Sequence, residues 1–514
     1  MASSQPSKAL AEALKTAKSL AVEGVLKHSA LKTKDINILK NAGYLTPVIR
    51  GWSLLHKPEV SGTSTVWYVG FWPFLKNYLA DRFGQQGYCL SADASLDLHV
   101  GQGHIAHQIT AITKKATNQT IDLPNNTSLL LYSDNKNYPK HITKIEGLSV
   151  MALPLALCRL APSYFKAKPL NVEIALKMLP SISDVSRILL EEGLVTDAGR
   201  IAGALRAIGD EKKADQITSD MKAAGYNVIE TNPFQKYLPA FESRARLISP
   251  YVGRINALWR QMREEVIDLF PKPSRLTTPK GKRIIRIIEE RYSQDAYHSL
   301  SIEGYEVTKG FIEKIANEGW NPEVDPSARD QLNAMAAKGY YDAFQDVLKS
   351  LSKVISGVNP GKVFEDDLQT WYRALFSPGV KAGMLKASDL AGYRDAPVYI
   401  RGARHVPPRK EAVLDAMEAL FTLLSEEEHP AVNAVLGHFI FVYIHPYMDG
   451  NGRIARFLLN IMLVSGGYNW TIIRNVCRDA YMKSLEAASV EGKIGPFAKL
   501  VKSEMDFWSK QNHD

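Results

Sequence analysis

Between His445 and Arg456 the chain reads His-Pro-Tyr-Met-Asp-Gly-Asn-Gly-Arg-Ile-Ala-Arg. These residue types suit a loop that binds anions and supplies a base. Gly450 and Gly452 let the backbone bend and approach a phosphate closely. A helix is expected over about 453–464, and it aims unpaired N–H groups and its positive dipole end back at the loop. Arg453 and Arg456 lie three apart, share a helical face and can clamp a polyphosphate. Asp449 offers the hard oxygen that magnesium prefers when the ion also holds nucleotide phosphates. His445 titrates near neutral pH, which suits taking the proton of an attacking hydroxyl.

Helices must position that loop. Apolar residues recur at helical spacing over 255–269, 282–297, 329–354, 363–376, 410–424 and 430–444, which describes a bundle. Ahead of the 410–424 helix, Gly392-Tyr-Arg-Asp-Ala-Pro397-Val398-Tyr399-Ile400 runs on to His405-Val-Pro-Pro408 with polar and apolar residues alternating, the pattern of a hairpin. The 282–297 helix is expected to end on Ser299-Leu-Ser-Ile-Glu303-Gly304, with Ser299 and Glu303 one turn apart.

The N-terminal half is organised differently. A helix is expected over 10–26 and another over 34–41, stopped by Gly43 in a left-handed cap. Two β-prone runs then flank Arg50-Gly51. Helices followed by a hairpin describe a small winged helix-turn-helix. Lys27, Lys32, Lys34, Lys40 and Arg50 outweigh its acids, as a phosphate-contacting surface requires. Residues 63–234 mix strands (120–123, 128–132) with helices (194–208, 214–224). The fold class is therefore mainly α, with a winged helix over 1–60, an α+β portion over 61–234, a helical linker over 235–310 and the bundle over 311–514.

The His445–Arg456 stretch resembles the Fic (filamentation induced by cAMP) family signature, His-Pro-Phe-x-(Asp/Glu)-Gly-Asn-Gly-Arg-x-x-Arg, with Tyr447 in place of Phe. The resemblance implies a protein adenylyltransferase. In it His445 activates a Tyr, Ser or Thr hydroxyl of a target protein for attack on the α-phosphate of ATP. Asp449 holds Mg2+, the backbone of Gly450, Asn451 and Gly452 forms the anion hole, and Arg453 and Arg456 bind the outer phosphates. The 392–408 segment is similar to the family's flap, which docks the target as an added strand on Pro397, Val398, Tyr399 and Ile400. Trp470, Thr471, Ile472, Ile473, Asn475 and Tyr481 resemble the adenine-side wall. Ser299, Glu303 and Gly304 match the inhibitory motif, in which the glutamate pairs with Arg456 and displaces the γ-phosphate. Removal of AMP from targets is compatible with the same motif. Phosphate-transferring relatives carry Lys at the position of Gly452, whereas the motif does not separate UMP from AMP transfer.

The first 230 or so residues resemble AbiE-type abortive-infection antitoxins, through 39–45, the Arg50-Gly51 hairpin, Ala198–Ala204, Ala223–Tyr226 and Asn232–Phe234. That implies a DNA-binding, autoregulatory domain with a partner-contacting one. The competing reading is a DNA-binding antitoxin or regulator whose Fic portion only binds. Retention of His445, Asp449 and both arginines argues against it.

The bulk numbers fit a cytoplasmic protein of several domains. The 514 residues are 45% hydrophobic and 23% charged, with a net charge of +9. Cys89, Cys158 and Cys477 have no metal-ligand spacing and read as reduced thiols. No apolar run is long enough for a membrane span. A homodimer is compatible with the sequence.

Overall fold

The computed structural model describes residues 8–511 except 57, 59–62, 116–117, 236, 238, 242–246, 248, 273–277, 319–327, 399 and 401. It is mainly α-helical and divides into two compact units, residues 1–253 with 399–406, and residues 254–398 with 407–514.

In the first unit α1 (Lys8–Leu20), β1 (Val25–Lys27), α2 (Thr33–Asn41), β2 (Leu45–Ile49) and β3 (Trp52–Leu55) build a sheet of order β1-β3-β2. The helix expected over 10–26 ends at Leu20. Glu23 and Gly24 both take positive φ, and Val25 then pairs with Leu54. The β2–β3 hairpin turns on Gly51 (φ 86°), a conformation glycine adopts without steric penalty. After α3 (Thr63–Phe83), β4 (Tyr88–Leu90), α4 (Ala92–His99), β5 (Gln108–Thr113), β6 (Gln119–Leu123) and β7 (Thr127–Ser133) form a second sheet of order β4-β5-β7-β6 around α4 in sequence. A two-stranded ribbon, β8 (Ile142–Ile145) and β9 (Leu148–Met151), leads into six helices. These are α5 (Leu153–Cys158), α6 (Pro162–Ala167), α7 (Pro169–Met178), α8 (Ser183–Glu192), α9 (Val195–Ala207) and α10 (Glu211–Ala223).

The second unit is a helical bundle around one large apolar core. Its elements are α11 (Pro250–Leu269), α12 (Thr278–Glu290), α13 (Tyr292–Ile302), α14 (Lys309–Glu318), α15 (Ala328–Ile355), α16 (Pro360–Lys381), α17 (Val413–Glu426), α18 (Pro430–Ile444), α19 (Asn451–Ser465), α20 (Arg478–Glu491) and α21 (Gly495–Lys510). The single helix expected over 282–297 is two. The break falls at Arg291, whose guanidinium lies 5.3 Å from the Trp508 ring and whose carbonyl accepts the N–H of Gln294 and Asp295, starting α13 afresh. The flap is also corrected. Its described residues form no hairpin ladder; in the first unit, His405 instead makes an isolated antiparallel bridge with His104. No helix among the described residues is long and apolar enough to cross a membrane.

Candidate functional site

Two helices frame the loop. α18 is apolar on nearly every side and buried along almost its whole length, as a helix inside a bundle must be. It ends where His445 turns left-handed, at φ 52° and ψ 60°. A non-glycine residue there is strained by about 1 kcal/mol or more, so its surroundings must hold it. Arg394 does this. Its Nε donates to the His445 carbonyl at 2.8 Å, its backbone N–H to the Pro446 carbonyl at 2.9 Å, and its remaining guanidinium nitrogens to Ala396 and Pro408. Nothing local in the sequence marks Arg394 as an arginine that clamps carbonyls about fifty residues away.

The His445 ring is set up as a base. Its Nδ1 lies 3.2 Å from the Val442 carbonyl, so Nδ1 carries the proton and Nε2 keeps its lone pair. Burial holds its pKa down to about 4, against the opposing pull of the Val442 hydrogen bond, and the ring is neutral at pH 7.

α19 opens with Gly450 (φ 83°) at its N-cap and no side-chain cap, leaving the first N–H groups directed at the loop. A Cβ on Gly450 would sit 2.7 Å from the Phe376 ring, so only glycine fits this turn. Asn451 braces the loop, donating to the Tyr447 carbonyl at 2.8 Å and accepting the Tyr447 N–H at 3.0 Å. Its side chain is thereby used up, and its backbone N–H remains for an anion. Tyr447 anchors the loop in the core. It is 1% exposed and stacked on Tyr372 at 3.9 Å, and its hydroxyl accepts a bond from Gln369. Asp449 stays at the surface, accepting from Gly450 N–H at 2.6 Å and from Arg453 Nη2 at 3.1 Å.

Both arginines are buried. Arg453 lies 5.0 and 5.4 Å from the Phe376 and Tyr305 rings, and its Nε has no partner among the described residues. Arg456 donates through Nε to Ser299 Oγ at 2.9 Å, and through Nη2 to the Ser299 carbonyl at 3.1 Å and Glu303 Oε1 at 2.7 Å. Its Nη1 is buried without a partner among the described residues. Such unsatisfied cationic donors are costly unless an anion meets them.

Glu303 reaches this place through the end of α13. Tyr305 N–H bonds the Leu300 carbonyl and Gly304 N–H the Ser301 carbonyl around Gly304 at φ 92°, a complete Schellman cap. The cap stops the helix at Ile302 and leaves Glu303 as its C-cap residue. The carboxylate then rests on the loop, 2.4 Å from where a Cβ on Gly452 would stand. On the same helix Asp295 is buried and accepts from Trp470 Nε1 at 3.3 Å, and burial pushes its carboxyl up to about 7. Trp470, Thr471, Ile472, Ile473 and Tyr481 are buried, while Asn475 reaches His298. Of the flap residues, Pro397 is exposed, Val398 buried and Ile400 half-buried; Tyr399 lies outside the described residues.

A neutral imidazole thus sits at the head of a loop rich in anion donors, with one of its two arginines held by an internal carboxylate. Residues 362–463, which include the whole loop, match the Fic/DOC family. The chain carries a Fic domain. It is 30% identical over 249 residues to a protein adenylyltransferase Fic of Nematostella vectensis, covering 47% of this chain and 54% of that protein. To the protein adenylyltransferase Fic of Aedes aegypti it is 29% identical over 280 residues, 54% of this chain and 51% of that one. The chain therefore spans about half the length of the curated relatives it matches. Among solved structures, residues 134–508 of Fic-1 from C. elegans align over 67% of this chain and 91% of that one, at 19% identity and a TM-score of 0.37.

Proposed function

We propose that the Fic domain transfers AMP from ATP to a hydroxyl of a target protein and that Glu303 restrains it. The observation that carries this reading is the His445 geometry, a neutral ring with Nε2 unprotonated at the mouth of an anion-binding loop. Nε2 takes the proton of the target hydroxyl as its oxygen attacks the α-phosphorus. The α–β phosphoanhydride bond breaks, and pyrophosphate leaves. The free N–H groups at the start of α19 and the guanidinium of Arg453 offset the charge on the phosphates, so positioning and electrostatics supply most of the acceleration.

The residues present also fit a magnesium ion. The described residues hold no cluster of three or more metal-ligating side chains, but an ion held chiefly by phosphates and water needs only one or two carboxylates. Asp449, exposed at the loop, is the residue that would hold it, and the ion would neutralise phosphate charge during transfer.

Incubating the protein with magnesium and ATP labelled at either the α or the γ phosphorus tests the reaction type. Protein-bound label from the α position alone is the expected result. Label from the γ position would make the enzyme a kinase and overturn the assignment.

A second role rests on a separate observation in the first unit. Between α2 and the β2–β3 hairpin runs a groove of about 690 Å3 whose lining includes Lys40, Arg50, His28, Thr33 and Asn37 and no carboxylate. With α2 preceding the hairpin and a β1-β3-β2 sheet, the arrangement supports a winged helix that contacts duplex DNA, in line with the antitoxin resemblance. The full chain is expected to bind a short duplex with an affinity that falls steeply with salt. Lys40→Glu with Arg50→Glu is expected to lower the slope of log K against log salt by about two. Binding that ignores both substitutions would remove this role.

A further inference from the structure

α13 carries two sets of contacts on neighbouring stripes of its surface. Ser299 and Glu303, one turn apart, hold Arg456. Asp295, His298 and Ile302, at i, i+3 and i+7, form the adjoining stripe, and each meets a different residue of one short stretch, 470–478. Trp470 Nε1 donates to Asp295 Oδ2 at 3.3 Å. Nδ1 of His298 lies 3.2 Å from Asn475 Oδ1 and 3.3 Å from Asn475 N, so either tautomer of the ring finds a partner on Asn475. Arg478 Nε donates to the carbonyl of Ile302 at 2.8 Å, at the last turn of the helix and directly before Glu303.

We propose that α13 is seated by two separate latches, and that Asp295, His298 and Arg478 are positioning residues that dock it on the 470–478 stretch independently of the Glu303–Arg456 pair. This rests on the reading of Glu303 as a brake. The two latches differ in what they share with catalysis. Arg456 belongs to the anion site, so an incoming polyphosphate competes with Glu303 for it directly. His298 and Arg478 touch neither the His445 loop nor either loop arginine in the contacts described. Their latch sets how firmly the helix end is presented to the loop, and it can be weakened without removing a phosphate-binding group. The stretch they grip also contains Trp470 and Asn475, the adenine-wall residues of the functional reading. It therefore joins the seat of the nucleotide base to the seat of the brake.

The test compares self-modification with α-labelled ATP in four full-length proteins: wild type, Glu303→Gly, His298→Ala/Arg478→Ala, and the triple variant. Loss of two such hydrogen bonds shifts the docked-to-undocked ratio by roughly five- to 150-fold. The double variant, with Glu303 intact, is expected to label faster than wild type by about that factor, with amide exchange over 292–302 accelerated. In the Glu303→Gly background the same pair of substitutions is expected to change labelling by less than about twofold, since the brake they act through is already gone. A purely structural role would instead lower labelling in both backgrounds, and that outcome overturns the proposal. So does a double variant that labels at the wild-type rate while Glu303→Gly labels faster. If Glu303→Gly itself labels no faster than wild type, the brake reading fails first and the second latch falls with it.

Discussion

Glu303→Gly protein is expected to modify itself and its target faster than wild type by a factor between about 5 and 150. That range corresponds to a coupling of about 1–3 kcal/mol between the brake and productive nucleotide binding. The carboxylate is only 25% exposed and holds Arg456 at 2.7 Å, so it occupies a guanidinium that is itself 5% exposed and can find no aqueous substitute. Removing the side chain leaves Nη1 of Arg456 unpaired and Nη2 with the Ser299 carbonyl alone, so that Ser299 is its remaining partner on α13. A γ-phosphate can then supply the missing anion, and ATP settles with its α-phosphorus aligned for attack. The change is expected in kcat for AMP transfer at saturating ATP, because in the proposed mechanism wild type still binds ATP but in a misaligned pose. Glu303→Gln keeps the size of the side chain and removes its charge, and is expected to fall between the two. Equal labelling by Glu303→Gly and wild type, with ATP binding intact in both, would show that Glu303 exerts no restraint.

The parts of this site that a reader of the sequence can find are those whose determinants are local. Gly450, Asn451 and Gly452 announce a helix start without a side-chain cap, because glycine freedom and helix geometry act within a few residues. Ser299 and Glu303 are one turn apart on any helix, and Gly304 ends that helix by taking positive φ. What they hold is another matter. Arg456 is 153 residues from Glu303, and only the family motif connects them. Arg394 escaped altogether, since a clamp on the His445 carbonyl leaves no periodic trace. The α12–α13 break escaped for the opposite reason. Ile284, Ile288, Tyr292 and Ala296 keep helical spacing straight across it, while Arg291 and its contact with Trp508 make the interruption. The flap's alternation of polar and apolar residues predicts self-pairing. Alternation specifies that a segment can pair, but not with which partner.

His445→Ala is expected to lower AMP transfer by about 10^2- to 10^4-fold, the usual contribution of a positioned general base. Nucleotide binding should persist, since the groups that face the phosphates, Arg453 and the α19 N-terminus, do not depend on the imidazole. Thermal stability should fall little, because alanine removes a ring that bonds only the Val442 carbonyl among its described partners while the Arg394 clamp on the backbone carbonyl stays. The pH profile separates a base from a merely structural ring. An exposed histidine loses half its base form near pH 6.5, whereas burial lowers the His445 value to about 4. A lowered value means that the neutral form dominates at every pH above it. With Glu303→Gly protein, so that the brake does not intervene, kcat/KM is expected to stay level from pH 8 to about 5 and to decline only as pH approaches 4. A decline centred near 6.5 would mean that the essential base titrates like an exposed histidine, contrary to the lowered His445 value. A His445→Ala protein that kept its activity would assign proton transfer to another group.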